Sequence, residues 1–266
     1  MLKRRVVTAA WLVPLALGGL FGLTGGAFAL FTGAIVLLAA WEWTNLAGVT
    51  AQPRRGLLLA ALAGLMALLW ASGAARATWP LWLGAAGWLV NLFWVTRYPM
   101  RVAQWQSTPR RLAMGLWVLL PAWVGFNVLR DAGGVWLLFV LLLVWGADIG
   151  AYFSGRAWGR RKLAPAVSPG KSWEGVAGGL AVTLALALVF AAWQGLGVAT
   201  GVALLVVTAV VTLVSVLGDL LESMLKRHRG IKDSSQLLPG HGGVLDRIDS
   251  LTAAVPLFAL LSPGVL

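Results

Sequence analysis

Charged residues are concentrated in one short segment of an otherwise apolar chain, residues 223–250. The 266-residue chain has nine acidic residues and two histidines, and this segment contains three of those acids, both histidines and five basic residues. Carboxylates beside lysine and arginine can hold a metal ion and an anionic substrate together. The segment is therefore either a reaction centre or an ordinary solvated loop between two helices.

Asp219, Ser223 and Lys226 have a spacing typical of one helix face. They are separated by four and three positions, so their side chains would point the same way from a helix that leaves the membrane. Asp219 ends a long apolar run, where an ionisable group is costly and is a candidate for function. The alternative is a side chain that only reaches the interface at the end of a helix.

Asp246 and Asp249 lie three positions apart at the start of the next predicted helix. Aspartate is favoured there by about 0.5–2 kcal/mol without any function, but capping does not explain Asp219 across the loop. Carboxylates on two helices at the same depth in the membrane can bind Mg²⁺, which is typically coordinated by one or two carboxylates plus phosphate oxygens. Nearby cations would complement a polyphosphate; they are Lys226, Arg227, Lys232 and Arg247.

His241, Gly242 and Gly243 lie in the middle of the segment. The two glycines allow another group to approach the backbone closely, and the N-terminus of the following helix is a candidate anion site. His241 is either a donor to phosphate or a turn residue at the interface.

A second polar segment, residues 145–175, also combines acidic and basic residues beside apolar runs. Asp148 lies inside an apolar run, where it either makes a structural hydrogen bond or acts in catalysis. The run "SPGKSWEG" suggests a nucleotide-binding P-loop, but Pro165 stands where the motif needs its first glycine and no strand precedes it. We interpret Lys171 as a phosphate contact and Ser172 as the cap of the next helix.

The composition predicts an all-α, polytopic integral membrane protein with about nine transmembrane helices. Residues are 59% hydrophobic and 11% charged, against about 25% charged in soluble domains. Apolar runs near the ~20 residues needed to cross a bilayer recur throughout. We interpret the first as a retained helix, since it is too long for a signal peptide. The predicted spans are 6–23, 26–46, 56–73, 79–96, 111–129, 134–153, 173–194, 198–221 and 247–263.

The basic residues predict the orientation of these spans. Of the 21 lysines and arginines, all but Arg76 and Arg130 fall in alternate loops together with the N-terminus, including Lys3, Arg4 and Arg5. By the positive-inside rule, these loops and the N-terminus are cytoplasmic. The net charge of +12 therefore reflects topology and attraction to anionic lipids rather than binding to nucleic acid.

The acidic residues divide the chain in two. Residues 1–132 contain only Glu42 and Asp131 and have short loops, so we predict a scaffold of about five spans. Residues 133–266 contain the other seven acids. We predict that these residues form a catalytic region of about four spans with long cytoplasmic loops at 154–172 and 222–246.

At these positions the sequence resembles the phosphatidate cytidylyltransferases, also called CDP-diacylglycerol synthases. Their signature is Ser-x-apolar-Lys-Arg, four residues, Lys-Asp, and later His-Gly-Gly-apolar-x-Asp-Arg-apolar-Asp. The matching residues here are Ser223, Lys226, Arg227, Lys232, Asp233, Ser235, Pro239, His241, Gly242, Gly243, Asp246, Arg247 and Asp249. The match is specific over the C-terminal half, and the 145–175 segment is also similar to the family's.

The resemblance implies that CTP and phosphatidic acid react to give CDP-diacylglycerol and pyrophosphate in the presence of Mg²⁺. It implies catalytic roles for Asp219, Asp246 and Lys226, and a metal site at Asp219, Asp246 and Asp249. The substrate contacts would be Ser223, Arg227, Lys232, His241, Gly242, Gly243, Arg247, Lys171 and Asp148. It also implies a homodimer, a second, monovalent cation such as K⁺, and a bacterial inner membrane location with the site on the cytoplasmic side.

Two other classes of function remain open. A transporter or channel would also place an aspartate and basic partners in a membrane, but with charges near the middle of several spans; here they cluster at one edge. A CTP-dependent lipid kinase would also act on CTP and a lipid, but it would release CDP instead of pyrophosphate.

Overall fold

The computed structural model describes residues 2–262, with side chains from residue 10 onward. The side chains of Lys3, Arg4 and Arg5 and the end of the ninth predicted span at residue 263 lie outside the described residues. Residues 2–262 form nine α-helices and one β-hairpin: α1 Leu2–Gly22, α2 Gly25–Leu46, α3 Gln52–Ala71, α4 Trp79–Thr96, α5 Thr108–Ala132, α6 Gly134–Trp158, β1 Lys162–Ala164, β2 Ser168–Ser172, α7 Trp173–Trp193, α8 Val198–Arg229 and α9 Leu245–Leu261.

The all-α, membrane-embedded class is confirmed, and each predicted span corresponds to one helix. The number of membrane spans is not confirmed, because six of the described helices are long and apolar enough to cross a bilayer: α2, α3, α5, α6, α7 and α8. Helix α9, with 17 residues, is shorter than any of these six.

Two side-chain contacts place the loops around α3 and α5 at opposite ends of the bundle. The Arg111 guanidinium at the start of α5 donates to Leu46 O at the end of α2, at 2.8 Å. At the opposite end, Arg76 after α3 pairs with Asp131 at the end of α5, at 3.0 Å. This agrees with the predicted sorting of the loops, while the side that faces the cytoplasm stays a prediction.

The predicted loop at 154–172 is wrong in detail, because helix α6 continues to Trp158 and strands β1 and β2 then pair as an antiparallel hairpin. Ser172 ends the hairpin and its hydroxyl accepts a hydrogen bond from Gly175 N at 3.1 Å, which confirms its predicted capping of α7. Likewise, α8 continues to Arg229, so the 222–246 loop is reduced to residues 230–244.

Glycines let the helices that carry the acidic residues pack closely. A Cβ atom at Gly150 of α6 would lie 2.7 Å from Gly178 O of α7. A Cβ atom at Gly218 of α8 would lie 2.6 Å from Asp249 O of α9. The second contact places Asp249 beside the turn of α8 that carries Asp219.

Candidate active site

Lys171 and Asp219 form an ion pair between the hairpin and α8. Lys171 Nζ lies 2.6 Å from Asp219 Oδ2, and Ser223 Oγ donates to Asp219 Oδ1 at 3.0 Å. The two charged side chains are 25% and 30% exposed, so water and small solutes reach them. The predicted helix face that joins Asp219 to Ser223 is therefore present, and Lys171 reaches it from strand β2.

A polar cavity of about 210 Å³ lies next to this pair, between α6, α7, α8 and β2. Asp148, Lys171 and Asp219 line it, together with Tyr152 and Thr212. Three residues predicted from separate parts of the sequence therefore meet in one cavity. One cation and two carboxylates at its wall suit a site that handles phosphate together with a metal ion.

Lys226 does not line this cavity and instead bridges α8 to α9. Its Nζ lies 2.8 Å from Glu222 Oε2 and 2.6 Å from Asp246 Oδ1. The side chain is only 13% exposed, and those of its partners are 2% and 5% exposed. Both bonds are to carboxylates of the protein itself, so Lys226 joins the two helices that carry the predicted aspartates.

The second oxygen of Asp246 organises the loop before α9. Oδ2 accepts hydrogen bonds from Ser234 N at 3.0 Å, from Ser234 Oγ at 3.0 Å and from Gly243 N at 2.7 Å. Burial acts to raise the pKa of Asp246, but the bonds from Lys226, Gly243 and Ser234 outweigh it, so the pKa is lowered. Asp246 is thus an ionised group whose oxygens are both engaged by the protein.

Glu42, which sequence reasoning assigned to the scaffold, lies at the centre of the same loop. Its fully buried carboxylate accepts from Val244 N at 2.9 Å and from Leu245 N at 2.7 Å. It also accepts from the Ser235 hydroxyl and shares the single hydroxyl proton of Ser234 with Asp246 Oδ2. An acidic residue within an apolar span is a sequence signal for function, and that signal could have identified Glu42.

These contacts correct two sequence interpretations. The N-terminus of α9 was a candidate anion site, but the carboxylates of Glu42 and Asp246 already bind the N–H groups of residues 243–245. The close backbone approach expected at Gly242 and Gly243 is also made to these carboxylates. A Cβ atom would lie 2.6 Å from Asp246 Oδ2 at Gly242 and 2.5 Å from Glu42 Oε1 at Gly243.

The other predicted substrate contacts are dispersed around the loop. Arg227 Nε donates to Val167 O of the hairpin at 3.3 Å, and Lys232 is exposed. Arg247 is exposed and lines a separate, apolar cavity. His241 Nδ1 is buried, and within residues 2–262 it has no hydrogen-bond partner. Their roles toward a substrate stay predictions.

The predicted metal ligands do not converge as a set of three. Within the described part of the chain, no group of three or more acidic, histidine or cysteine residues could hold a metal ion. Asp249, with Oδ1 bound to Ser250 N at 2.7 Å, lies across the α8–α9 contact at Gly218. A magnesium site can consist of two carboxylates and substrate phosphates, and Asp219 with Asp249 fits that composition better than Asp246, because the Asp219 side chain is 30% exposed and that of Asp246 only 5%.

The chain is similar to known proteins over nearly its whole length. A model of the cytidylyltransferase family matches residues 3–263. A phosphatidate cytidylyltransferase from Pseudomonas aeruginosa is 53% identical over 268 residues, covering 98% of this chain and 97% of that protein. Proteins of the same name from Haemophilus influenzae and Brucella suis are 43% and 38% identical, each over 97% of this chain and over 98% and 92% of their own lengths.

Proposed function

The chain belongs to the cytidylyltransferase family, and from this premise we propose that it makes CDP-diacylglycerol from CTP and phosphatidate. A phosphate oxygen of phosphatidate attacks the α-phosphorus of CTP. A new P–O bond forms, the bond between the α-phosphorus and the bridging oxygen breaks, and pyrophosphate leaves. In such a transfer the protein mainly aligns the reactants and neutralises charge.

The observation that carries the proposal is the polar cavity that Asp148, Lys171 and Asp219 line together. Lys171 is a partly exposed cation on the hairpin, and a lysine in such a position can bind phosphate oxygens and offset their charge. Asp219 orients Lys171 in the free protein. When the nucleotide binds, its phosphates would compete with Asp219 for the ammonium group and release the carboxylate.

We propose that Asp219 and Asp249, with phosphate oxygens of CTP, would hold Mg²⁺. The ion supplies positive charge where negative charge develops during transfer. Asp246 and Lys226 act differently in this proposal, since their mutual bond fixes the α9 start against α8. A homodimer, a monovalent cation and an inner-membrane location with a cytoplasmic site stay predictions from the family resemblance.

The transporter alternative fits the distribution of charge less well. The described acidic groups at the site lie in the C-terminal halves of α6 and α8 and at the start of α9, toward one end of the bundle. An ion path would need polar groups through the middle of the spans. The cluster therefore favours a reaction at the membrane surface.

Purified protein in detergent micelles with radiolabelled CTP and phosphatidate tests the function directly. We expect equal amounts of labelled CDP-diacylglycerol and released pyrophosphate, dependent on phosphatidate. Release of CDP with a phosphorylated lipid would identify a kinase instead. No lipid-dependent turnover of CTP in folded protein would contradict the proposal.

A further inference from the structure

An apolar cavity of about 340 Å³ lies on the side of α6 and α9 that faces α1, α2 and α5. Apolar side chains form most of its wall, among them those of Leu15, Phe31, Ile35, Trp145 and Ile248. Sites for small molecules typically have about 300–1,000 Å³ and predominantly apolar walls. The cavity therefore has the size and lining of a binding site for an apolar group.

Arg247 is the one charged residue that lines this apolar cavity in the described structure. It follows Asp246 at the start of α9 and is exposed. Helix α9 also packs against α6, the helix that carries Asp148 of the polar cavity. An apolar chamber with a single cation at its polar end is complementary to a lipid that has an anionic headgroup.

Helix α6 forms part of the wall of both the apolar and the polar cavity. Trp145 lines the apolar cavity and Asp148 lines the polar one, and residues three positions apart share a helix face. At its other side the apolar cavity reaches the exterior of the bundle, because Leu15, Leu38 and Trp145 are 62%, 46% and 47% exposed. A lipid could therefore enter from the bilayer and keep its headgroup beside the reacting nucleotide.

We propose that an acyl chain of phosphatidate occupies this apolar cavity while Arg247 binds the lipid phosphate. This assignment rests on the proposed function and adds the location and the headgroup contact of its lipid substrate. Helices α1, α2 and α5 form much of the wall of the apolar cavity, so the N-terminal half of the chain contributes to this lipid site.

The chain offers a matched control for the cavity. A second apolar cavity, also about 340 Å³, lies between α2, α3 and α5 and has no charged residue in its lining. Ile35→Trp would fill the proposed lipid cavity, and Leu62→Trp would fill the control cavity. We expect Ile35→Trp to raise the KM for dioleoyl phosphatidate about tenfold. The KM values for CTP and for short-chain dihexanoyl phosphatidate should stay within about twofold, and Leu62→Trp should change none of them.

Equal effects of the two tryptophan variants, or equal losses with long-chain and short-chain phosphatidate, would overturn the assignment.

Photolabelling of the wild-type protein is a second test, and it does not depend on whether Ile35→Trp folds. Vesicles would carry phosphatidate or phosphatidylcholine with a diazirine in one acyl chain. We expect phosphatidate to label residues of the apolar cavity about fivefold more than phosphatidylcholine does, and Arg247→Gln to remove that excess.

Equal labelling by the two lipids would show ordinary contact with the bilayer and would also overturn the assignment. The photolabelling needs no turnover, so it separates this inference from the proposed function. A wild-type protein that released no pyrophosphate but preferred phosphatidate in the cavity would contradict the function alone. Active protein without that preference would contradict the cavity assignment alone.

Discussion

Glu42 Oε2 on α2 accepts a hydrogen bond from Leu245 N on α9 at 2.7 Å, across 203 positions of sequence. This bond and the one from Val244 N satisfy backbone groups at the N-terminus of α9, which has no side-chain cap of its own. The predicted scaffold and the predicted catalytic region are therefore linked directly by hydrogen bonds. The scaffold helix α2 supplies the carboxylate that fixes the catalytic loop.

We predict that Glu42→Gln lowers both stability and turnover. The glutamine amide would present donors to N–H and O–H groups that now bind a carboxylate, and each unsatisfied buried group costs about 1–3 kcal/mol. Thermal unfolding in detergent and pyrophosphate release would measure the two losses. Because the loop also positions Asp246 through Ser234 and Gly243, we expect kcat to fall about tenfold or more even at temperatures where the variant is folded.

Asp131→Asn is the matched control for Glu42, since Asp131 is the other acidic residue of the N-terminal half. Its pair with Arg76 is 45–49% exposed and lies at the opposite end of the bundle, so its loss should cost at most about 1 kcal/mol. Unchanged turnover in folded Glu42→Gln protein would show that the bonds to the loop serve stability alone.

The Lys171–Asp219 pair should matter for reaction and little for stability. Both side chains are part-exposed, so the pair contributes no more than about 1 kcal/mol to folding. If Lys171 binds phosphate, Lys171→Met should lower kcat/KM about 10²-fold. Steady-state kinetics and thermal unfolding of the same preparation would measure the two effects.

Arg161→Gln provides a control on the same hairpin segment, because Arg161 pairs with Glu174 and is 81% exposed. We expect wild-type kinetics from it. If Lys171→Met and Arg161→Gln lowered kcat/KM equally, a general loss of positive charge would explain the result, and a specific role for Lys171 would be wrong.

Asp246→Asn should destabilise the protein. The Asp246 charge compensates a buried Lys226, and removing one partner of a buried ion pair costs about 3–5 kcal/mol. Glu222 still pairs with Lys226, so we expect a smaller loss, about 1–3 kcal/mol. Wild-type thermal stability in Asp246→Asn, with turnover abolished, would favour a direct role in the reaction.

The sequence predicted the helices well because a ~20-residue apolar run has few alternatives in a bilayer. It also predicted that Asp219 and Ser223 share a face, since that relation is local to one helix. The contacts of Lys171 with Asp219 and of Glu42 with Leu245 join distant parts of the chain. No periodicity encodes such contacts, so the partners of Glu42 and those of Asp246 emerged only from the fold.

The orientation of the bundle can be tested with single cysteines, because the chain contains none. Ala166→Cys and Gln236→Cys lie on exposed positions of the two loops predicted to be cytoplasmic, and Gln194→Cys lies at the opposite turn after α7. In intact cells, an impermeant maleimide should label only Gln194→Cys; after permeabilisation it should label all three. Labelling of Ala166→Cys in intact cells would show that the predicted topology is wrong.

Asp219 and Asp246 should differ in their effect on Mg²⁺ binding. Protein donors bind both oxygens of each carboxylate, but Asp219 lies at the polar cavity and its side chain is 30% exposed, whereas that of Asp246 is only 5% exposed. Turnover should stop in EDTA and return with Mg²⁺. Asp219→Asn should raise the Mg²⁺ concentration for half-maximal activity about tenfold or more, because a neutral ligand binds the ion more weakly. Asp246→Asn should lower kcat while leaving that concentration within about twofold, since Asp246 acts through the loop and Lys226. An equal rise for both variants would instead support the three-aspartate site predicted from the sequence, with Asp246 exchanging Lys226 for the metal when nucleotide binds.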